Sequence, residues 1–264
     1  MTPNPNPGFW PGMATGQGPQ INRGWPIVLA TVFGLLANGC STPSSDELTA
    51  FVASSMVEAI GFVATAFEQS HPGPEVVIVS GSSDRLAGQI NDGASADLFV
   101  AADWASMELV SSEVRGEPVV IASTHLTIAV APGNPKQIEG LEDLDRTDIV
   151  LVLAAAEVPL GRYSNQIMAE AGIEPHPASL ELDAISVLGR VERGEADVGL
   201  VYAADLYDRD VQAIETPAVS WLRVEYPAAV LSGGGQSEGA SALLEFLLSD
   251  KGRLWLVTAG FELP

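Results

Sequence analysis

Four short apolar runs in this chain are each followed directly by the start of an amphipathic helical pattern. The four junctions lie at residues 53–59, 80–90, 157–163 and 182–188. A buried strand followed by a helix with apolar residues at helical spacing is the repeating unit of a parallel sheet. The order of these segments therefore predicts an α/β fold built from β-α-β units.

Serine hydroxyls stand at the first two helix starts, where Ser55 and Ser83 begin the helical patterns. The first N–H groups of a helix have no intrahelical partner and the helix dipole is positive there, so such starts attract anions. We expect both serines to face a small oxyanion, with Asp84 turned away because its carboxylate would repel that ion. An alternative is that Ser55 and Glu58 form a capping box, in which the hydroxyl only satisfies its own helix.

The charge of the chain limits its partners. With 34 acidic and 12 basic residues among 264, the net charge is −22. Such a surface repels polyphosphates, so nucleic acid is not an expected partner. The histidines lack metal-ligand spacing and the sequence has no serine-nucleophile motif, so we expect a binding protein rather than an enzyme.

The N-terminal region resembles a bacterial lipoprotein leader. An apolar run over residues 25–37 follows Arg23 and is too short to span a membrane, but it suits the core of a signal peptide. Residues 36–41 resemble a lipobox around Cys40, although Ala37 stands where leucine is usual. We predict that residues 1–40 are a signal peptide with its lipobox cysteine, and that acyl chains on Cys40 anchor an extracytoplasmic protein to the membrane. The alternative is a free, buried cysteine.

Six segments, taken in their order and spacing, resemble the molybdate-binding proteins of ABC transporters. The likeness implies the type II periplasmic-binding-protein fold, an α/β fold of two lobes with mixed, mostly parallel sheets and two crossing strands near residues 125–128 and 226–230. Lobe 1 would then hold residues 41–124 and 229–264, and lobe 2 residues 125–228. The six segments are Ala53–Met56, Ser82–Ala87, Gly93–Phe99, Val158–Tyr163, Gly194–Tyr202 and Val224–Pro227.

The resemblance also implies which residues bind the ion, namely Ser55, Ser83, Leu160, Ala184 and Tyr202. Hydroxyls and backbone N–H groups would bind the oxygens of molybdate or tungstate, so the metal is not coordinated directly and no cofactor is expected. Leu160 is bulkier than the alanine common in the family, and Ala184 is smaller than the valine sometimes found. If both residues contribute only backbone N–H groups, these differences in side-chain size should have little effect on the binding of the ion. From the sequence pattern alone, Tyr202 could instead simply pack in the core.

The chemistry of the ion agrees with such a site. Molybdate at neutral pH is fully deprotonated and offers only acceptors, whereas phosphate keeps a proton and suits a site with a carboxylate. The resemblance further implies a monomer that delivers the ion to an ABC transporter permease. Two alternatives stay open, a binding protein for sulfate or another oxyanion and an oxyanion sensor that does not take part in transport.

Overall fold

A computed structural model describes residues 47–73, 75–207 and 209–264. The predicted signal peptide and Cys40 lie outside these residues. The described strands are β1 (Glu47–Ala53), β2 (Glu75–Gly81), β3 (Leu98–Val100), β4 (Val114–Val130), β5 (Leu151–Ala154), β6 (Ser179–Glu181), β7 (Val198–Tyr202), β8 (Gln212–Ile214) and β9 (Arg223–Leu231). The described helices are α1 (Val57–Ser70), α2 (Ser83–Asn91), α3 (Trp104–Leu109), α4 (Pro159–Ala171), α5 (Ala184–Glu192), α6 (Pro217–Ser220), α7 (Ser237–Leu248) and α8 (Asp250–Thr258). The alternation of strand and helix confirms the predicted α/β class.

The described strands pair along one path of mixed sheet, in the order β2-β1-β3-β9-β4-β7-β5-β6, with β8 beside β4. Strand β1 runs parallel to β2 and β3, and β5 runs parallel to β6 and β7. Strands β4 and β9 are antiparallel to each other and to their other neighbours. The antiparallel pair therefore separates two groups of parallel strands, and the β-α-β units form these two groups.

Strand β4 connects the two groups of parallel strands through its antiparallel pairing. Residues 114–125 pair with β9, apart from bulges, and residues 126–130 pair with β7. The sequence predicts two separate extended runs on either side of residues 123–125, but the structure joins them into one strand. The reason is that Ser123 has partners on both sides, Glu225 in β9 and Glu262 near the C-terminus.

Two buried or half-buried aspartates tie neighbouring strands together. The Asp97 carboxylate accepts hydrogen bonds from the backbone N–H of Thr49 (2.8 Å) and of Gln236 (2.6 Å). Asp197 accepts from the N–H of Val150 at 2.7 Å in the same way. Both aspartates precede a strand in an Ala-Asp pair, so the repeated sequence has a structural role in aligning parallel strands.

The C-terminal region differs from the prediction. The sequence predicts one last helix over residues 241–248 followed by a short segment, whereas the structure has α7 and then a further helix, α8. The helical periodicity of apolar residues in α8 is weak, because Leu254, Trp255 and Val257 are exposed and do not form one buried face. The close approach of α8 to the end of α7 also depends on Gly252, where a Cβ atom would lie 2.1 Å from the Phe246 carbonyl oxygen.

Candidate oxyanion site

A small cavity lies at the carboxyl ends of the parallel strands. Its walls come from segments that follow β1, β2 and β3 on one side and β5, β6 and β7 on the other. This edge of a parallel sheet, where helices begin, is the usual ligand site of α/β folds. The residues around the cavity are Ala53, Ser54, Ser55, Gly81, Ser82, Ser83, Ala102, Val158, Pro159, Leu160, Asp183, Ala184 and Tyr202.

All five residues predicted to bind the ion line this one cavity. Ser55 and Ser83 come from the side of β1 and β2, whereas Leu160, Ala184 and Tyr202 come from the side of β5, β6 and β7. The chain therefore brings together groups that are up to 147 positions apart, since the set runs from residue 55 to residue 202. Their contact with an ion stays a prediction.

Ser55 is buried, with 8% of its surface exposed. Its Oγ accepts a hydrogen bond from the hydroxyl of Tyr226 at 3.2 Å. Neither the 3-10 turn at Ser54–Met56 nor α1 has a side-chain cap, so the alternative capping role of Ser55 is not seen. Because the tyrosine donates in this pair, the proton of Ser55 is available for an acceptor in the cavity.

Ser83 has the same arrangement with a different donor. Only 1% of its surface is exposed, and its Oγ accepts from the backbone N–H of Ala102 at 2.9 Å. Ala102 itself lines the cavity. The Ser83 proton is thus also available for an acceptor at the cavity.

The hydroxyl of Tyr202 is buried and has no hydrogen-bond partner among the residues that the structure describes. Burial raises the pKa of Tyr202 well above its ordinary value, with a smaller contribution from Tyr226, so the phenol keeps its proton and stays a donor. A buried donor without a partner costs free energy, and packing alone does not offset that cost. An acceptor in the cavity would remove it.

Three helices begin at the cavity. Helices α2 and α4 have no side-chain cap, and α4 has Pro159 in its first turn. Helix α5 is capped by Asp183, whose Oδ1 accepts from the N–H of Ser186 at 2.7 Å. The start of α4 lies so close to the preceding loop that a Cβ atom on Gly161 would be 1.8 Å from the Ala155 carbonyl oxygen. The uncapped starts leave N–H groups available for an anion.

The lining carries little charge. No lysine, arginine or histidine is among the described lining residues, and Asp183 is the one carboxylate there. Asp84 is not among the lining residues, and the direction of its carboxylate relative to a bound ion stays a prediction. The nearby guanidinium of Arg162 is paired with Asp103, its Nε lying 2.8 Å from Oδ2. An anion in this cavity would therefore be bound by neutral donors.

The histidines lie elsewhere. His125 is within 3.4 Å of Glu215 and 3.2 Å of Glu262, His71 stacks on Phe67, and His176 is exposed. Within the described part of the chain, no group of three or more histidine, cysteine, aspartate or glutamate residues could hold a metal ion. The described lining of the cavity contains no histidine, and Asp183 is its single carboxylate.

Sequence reasoning did not identify three residues that support the site, namely Tyr226, Asp103 and Ala102. Tyr226 belongs to one of the segments that carry the family resemblance, but no local pattern shows that its hydroxyl reaches Ser55, 171 positions away. Asp103 caps α3 through the N–H of Ser106 and also pairs with Arg162. The sequence signal for Asp103 is a capping residue before a helix, which does not reveal the second contact.

The mixed sheet and its flanking helices have the fold of the type II periplasmic binding proteins. Structural similarity supports this class. The Azotobacter vinelandii periplasmic molybdate-binding protein superposes with a TM-score of 0.71 at 19% identity, covering 83% of this chain and 100% of that one. The sulfate-binding protein SubI from Mycobacterium tuberculosis superposes with a TM-score of 0.72 at 19% identity, covering 81% of this chain and 86% of that one.

The chain belongs to the bacterial extracellular solute-binding proteins, whose family model matches residues 48–262. It is similar to the molybdate-binding protein ModA of Mycobacterium tuberculosis, with 31% identity over 268 residues that cover 97% of this chain and 99% of the relative. The protein is accordingly a solute-binding component that acts outside the cytoplasm. Among the described residues, every helix is too short or too polar to cross a membrane.

Proposed function

We propose that the protein captures molybdate or tungstate between its two lobes and delivers it to the permease of an ABC transporter. The observation that carries the proposal is the convergence of three buried hydroxyls, those of Ser55, Ser83 and Tyr202, on one small cavity. Each is available as a donor, and the cavity has no basic side chain in its described lining. The ModA relative, named for molybdate binding, supports the same ion. The protein would be a transport component with no catalytic role and no cofactor.

The donors are sufficient for tight binding. A hydrogen bond to a charged group contributes about 1.5 to 3 kcal/mol, and a helix start about 0.3 to 1 kcal/mol more. Three hydroxyls and the N–H groups near Leu160 and Ala184 together exceed the roughly 8 kcal/mol that corresponds to a micromolar Kd. The side chains of these two residues would then set the size of the cavity and so influence the choice of ion.

Calorimetric titration with molybdate, tungstate, sulfate and phosphate tests the proposal. We expect molybdate and tungstate to bind with micromolar or tighter affinity, and phosphate to bind far more weakly because it carries a proton. Sulfate is the second candidate, since the sulfate-binding SubI has the same fold. Sulfate binding without a response to molybdate would replace the proposal with that alternative, and no binding of any of the four ions would refute both.

Lobe 1 is proposed to hold residues 41–124 and 229–264, and lobe 2 residues 125–228. Ion pairing beside the cavity would hold the two lobes together in the closed form. Arg162 of lobe 2 reaches Asp103 and Ser106 of lobe 1, and the Tyr163 hydroxyl donates to the Ala102 carbonyl oxygen at 3.3 Å. Closure on the ion would create the form that the permease recognises.

Replacing Asp103 with asparagine is expected to weaken molybdate binding about 2- to 5-fold, because the variant keeps the cap of α3 but loses the partly exposed ion pair with Arg162. Titration measures the affinity, and stopped-flow mixing measures whether the ion leaves faster. Asp148→Asn is the matched control, since it breaks the local pair with Arg146 within lobe 2. Equal effects of the two variants would argue against a closure role.

We further propose that acyl chains on Cys40 anchor the protein, as a monomer, to the outer face of the cell membrane. The support is the lipobox-like sequence around Cys40 and the family's extracellular location. Cys40→Ser is expected to move the protein from the detergent phase to the aqueous phase on Triton X-114 partition. Retention in the detergent phase would contradict lipidation.

Cross-linking tests the delivery of the ion to the permease. We expect the anchored, molybdate-loaded form to cross-link to an ABC permease, and the ion-free form to cross-link more weakly.

A further inference from the structure

We propose that an exposed apolar surface on helices α1 and α8 lies against the lipid bilayer to which Cys40 is proposed to be attached. This surface, the α8 patch, consists of Phe62, Leu254, Trp255 and Val257. The inference rests on the acyl anchor of the proposed function and adds which face of the protein contacts lipid. None of the four residues of the patch lines the oxyanion cavity.

The α8 patch is an apolar surface without a partner among the residues that the structure describes. Its four residues are between 38% and 64% exposed. Trp255 stacks on Phe62 with ring centroids 5.8 Å apart, which joins the two helices at the surface. Leu254 and Val257 are three positions apart on α8 and therefore face the same side of the helix. Single exposed apolar residues are ordinary, whereas a group of large ones on one surface indicates contact with a partner.

The charge of α8 differs from that of the whole chain. The chain has a net charge of −22, but residues 251–258 contain two basic residues, Lys251 and Arg253, and no acidic one. A bilayer that contains anionic lipids repels an acidic protein, so a basic helix is the face that approaches it with the least repulsion. Tryptophan beside basic side chains is also typical of helices that lie at a membrane surface, where the ring enters the boundary between headgroups and acyl chains.

The position of the proposed anchor limits which face of the protein can reach the bilayer. Strand β1 begins at Glu47, seven residues after Cys40, so the chain between them spans at most about 25 Å. Glu47 pairs with Glu75 at the start of β2, and α1 ends five residues before that, at Ser70. The anchor is therefore attached at the end of the sheet where α1 ends.

Helix α8 begins at this same end of the sheet. His71, directly after α1, lies edge-on to Phe246 of α7 at a centroid distance of 5.7 Å. Helix α8 starts four residues after Phe246, at Asp250. Trp255 is five residues farther along α8, a rise of about 8 Å. The α8 patch is thus within reach of a bilayer to which Cys40 is bound.

Quenching of tryptophan fluorescence by brominated lipid tests this arrangement. From Cys40 onward the chain has three tryptophans, Trp104, Trp221 and Trp255, each between 38% and 47% exposed. Three variants each keep one of them and have phenylalanine at the other two positions. They are reconstituted through the acyl anchor into vesicles of phosphatidylcholine and phosphatidylglycerol with bromine in the upper acyl chains. We expect the fluorescence of Trp255 to be quenched and its emission to shift to shorter wavelength, while the other two stay unchanged.

A pair of serine variants tests the apolar surface itself. Leu254→Ser combined with Val257→Ser should reduce the quenching of Trp255, because less apolar area enters the lipid. Leu180→Ser combined with Leu182→Ser is the matched control, since these leucines are exposed at β6 and should not affect the quenching. Thermal melting shows whether each variant is folded.

The inference would be overturned by anchored protein in which Trp255 is not quenched, or in which all three tryptophans are quenched equally. It would also be overturned if the serine variants of α8 and of the control pair had the same effect. An emission shift of Trp255 that needs no bromine and grows with the protein-to-lipid ratio would assign the α8 patch to a second copy of the chain instead. Wild-type protein that enters the aqueous phase on Triton X-114 partition would refute the anchor, and the inference with it, so the two failures are distinct.

Discussion

Replacing Ser55 and Ser83 together with alanine is expected to lower the affinity for molybdate by about 2 to 5 kcal/mol, which is about 30-fold to several thousand-fold. The physical reason is that both hydroxyls are buried at the cavity and are left as donors by the groups that donate to their oxygens. Calorimetric titration of the double variant and of each single variant measures the loss.

Both single variants should also lower the stability of the protein without the ion. Ser83→Ala leaves the buried N–H of Ala102 without its partner, at a cost of about 1 to 3 kcal/mol in stability. Ser55→Ala leaves the buried Tyr226 hydroxyl without its partner, at a cost of about the same size. A loss of stability with no loss of molybdate affinity in either variant would indicate a purely structural role for that serine.

Ser249→Ala is the matched control for the serine variants. Its Oγ caps α8 through the N–H of Gly252 at 3.2 Å, and it is not among the lining residues of the cavity. We expect this variant to lose about 1 kcal/mol of stability, which is typical for a lost N-cap, while molybdate binds as before. A change in affinity here would show that general destabilisation is sufficient to weaken binding.

Tyr202→Phe is expected to have opposite effects on stability and binding. The hydroxyl makes no hydrogen bond to any residue that the structure describes, so its removal breaks no such bond and should leave the unfolding free energy unchanged or raise it slightly. Molybdate binding should weaken by about 1.5 to 3 kcal/mol, or about 10- to 150-fold, because a charge-assisted hydrogen bond is lost. Thermal melting without the ion and titration with it measure the two quantities.

The Tyr202 prediction has a pH dependence with a definite sign. Burial raises the pKa of Tyr202, so the neutral phenol, which is the donor, is the form present at and below neutral pH. Binding through Tyr202 should therefore be constant across the neutral range and be lost only above the raised pKa. Tyr207→Phe, at an exposed tyrosine outside the cavity lining, is the control and should change neither stability nor affinity. If Tyr202→Phe binds molybdate like the wild type, the hydroxyl is not a ligand.

The predictions from sequence succeeded where a residue acts on its own neighbours. Local sequence patterns predict a proline in the first turn of α4, an aspartate cap on α5 and a glycine that ends α2, and the structure has Pro159, Asp183 and Gly93, with a positive φ, at these places. Capping and the left-handed backbone conformation depend on a few adjacent residues, which explains this success. Helix α8 was missed because its apolar residues are exposed and do not form a regular stripe.

In the candidate site, too, local sequence determined some features and tertiary contacts determined others. The sequence by itself determined which hydroxyls stand at the helix starts, because a strand, a turn and a helix follow one another within a few residues. Only the tertiary structure decided that Tyr226 donates to Ser55, that Ala102 donates to Ser83 and that Arg162 pairs with Asp103. These contacts join segments far apart in the chain, and which oxygen accepts depends on the distances between packed strands and helices. No local pattern contains those distances, so the availability of each hydroxyl could be seen only after folding.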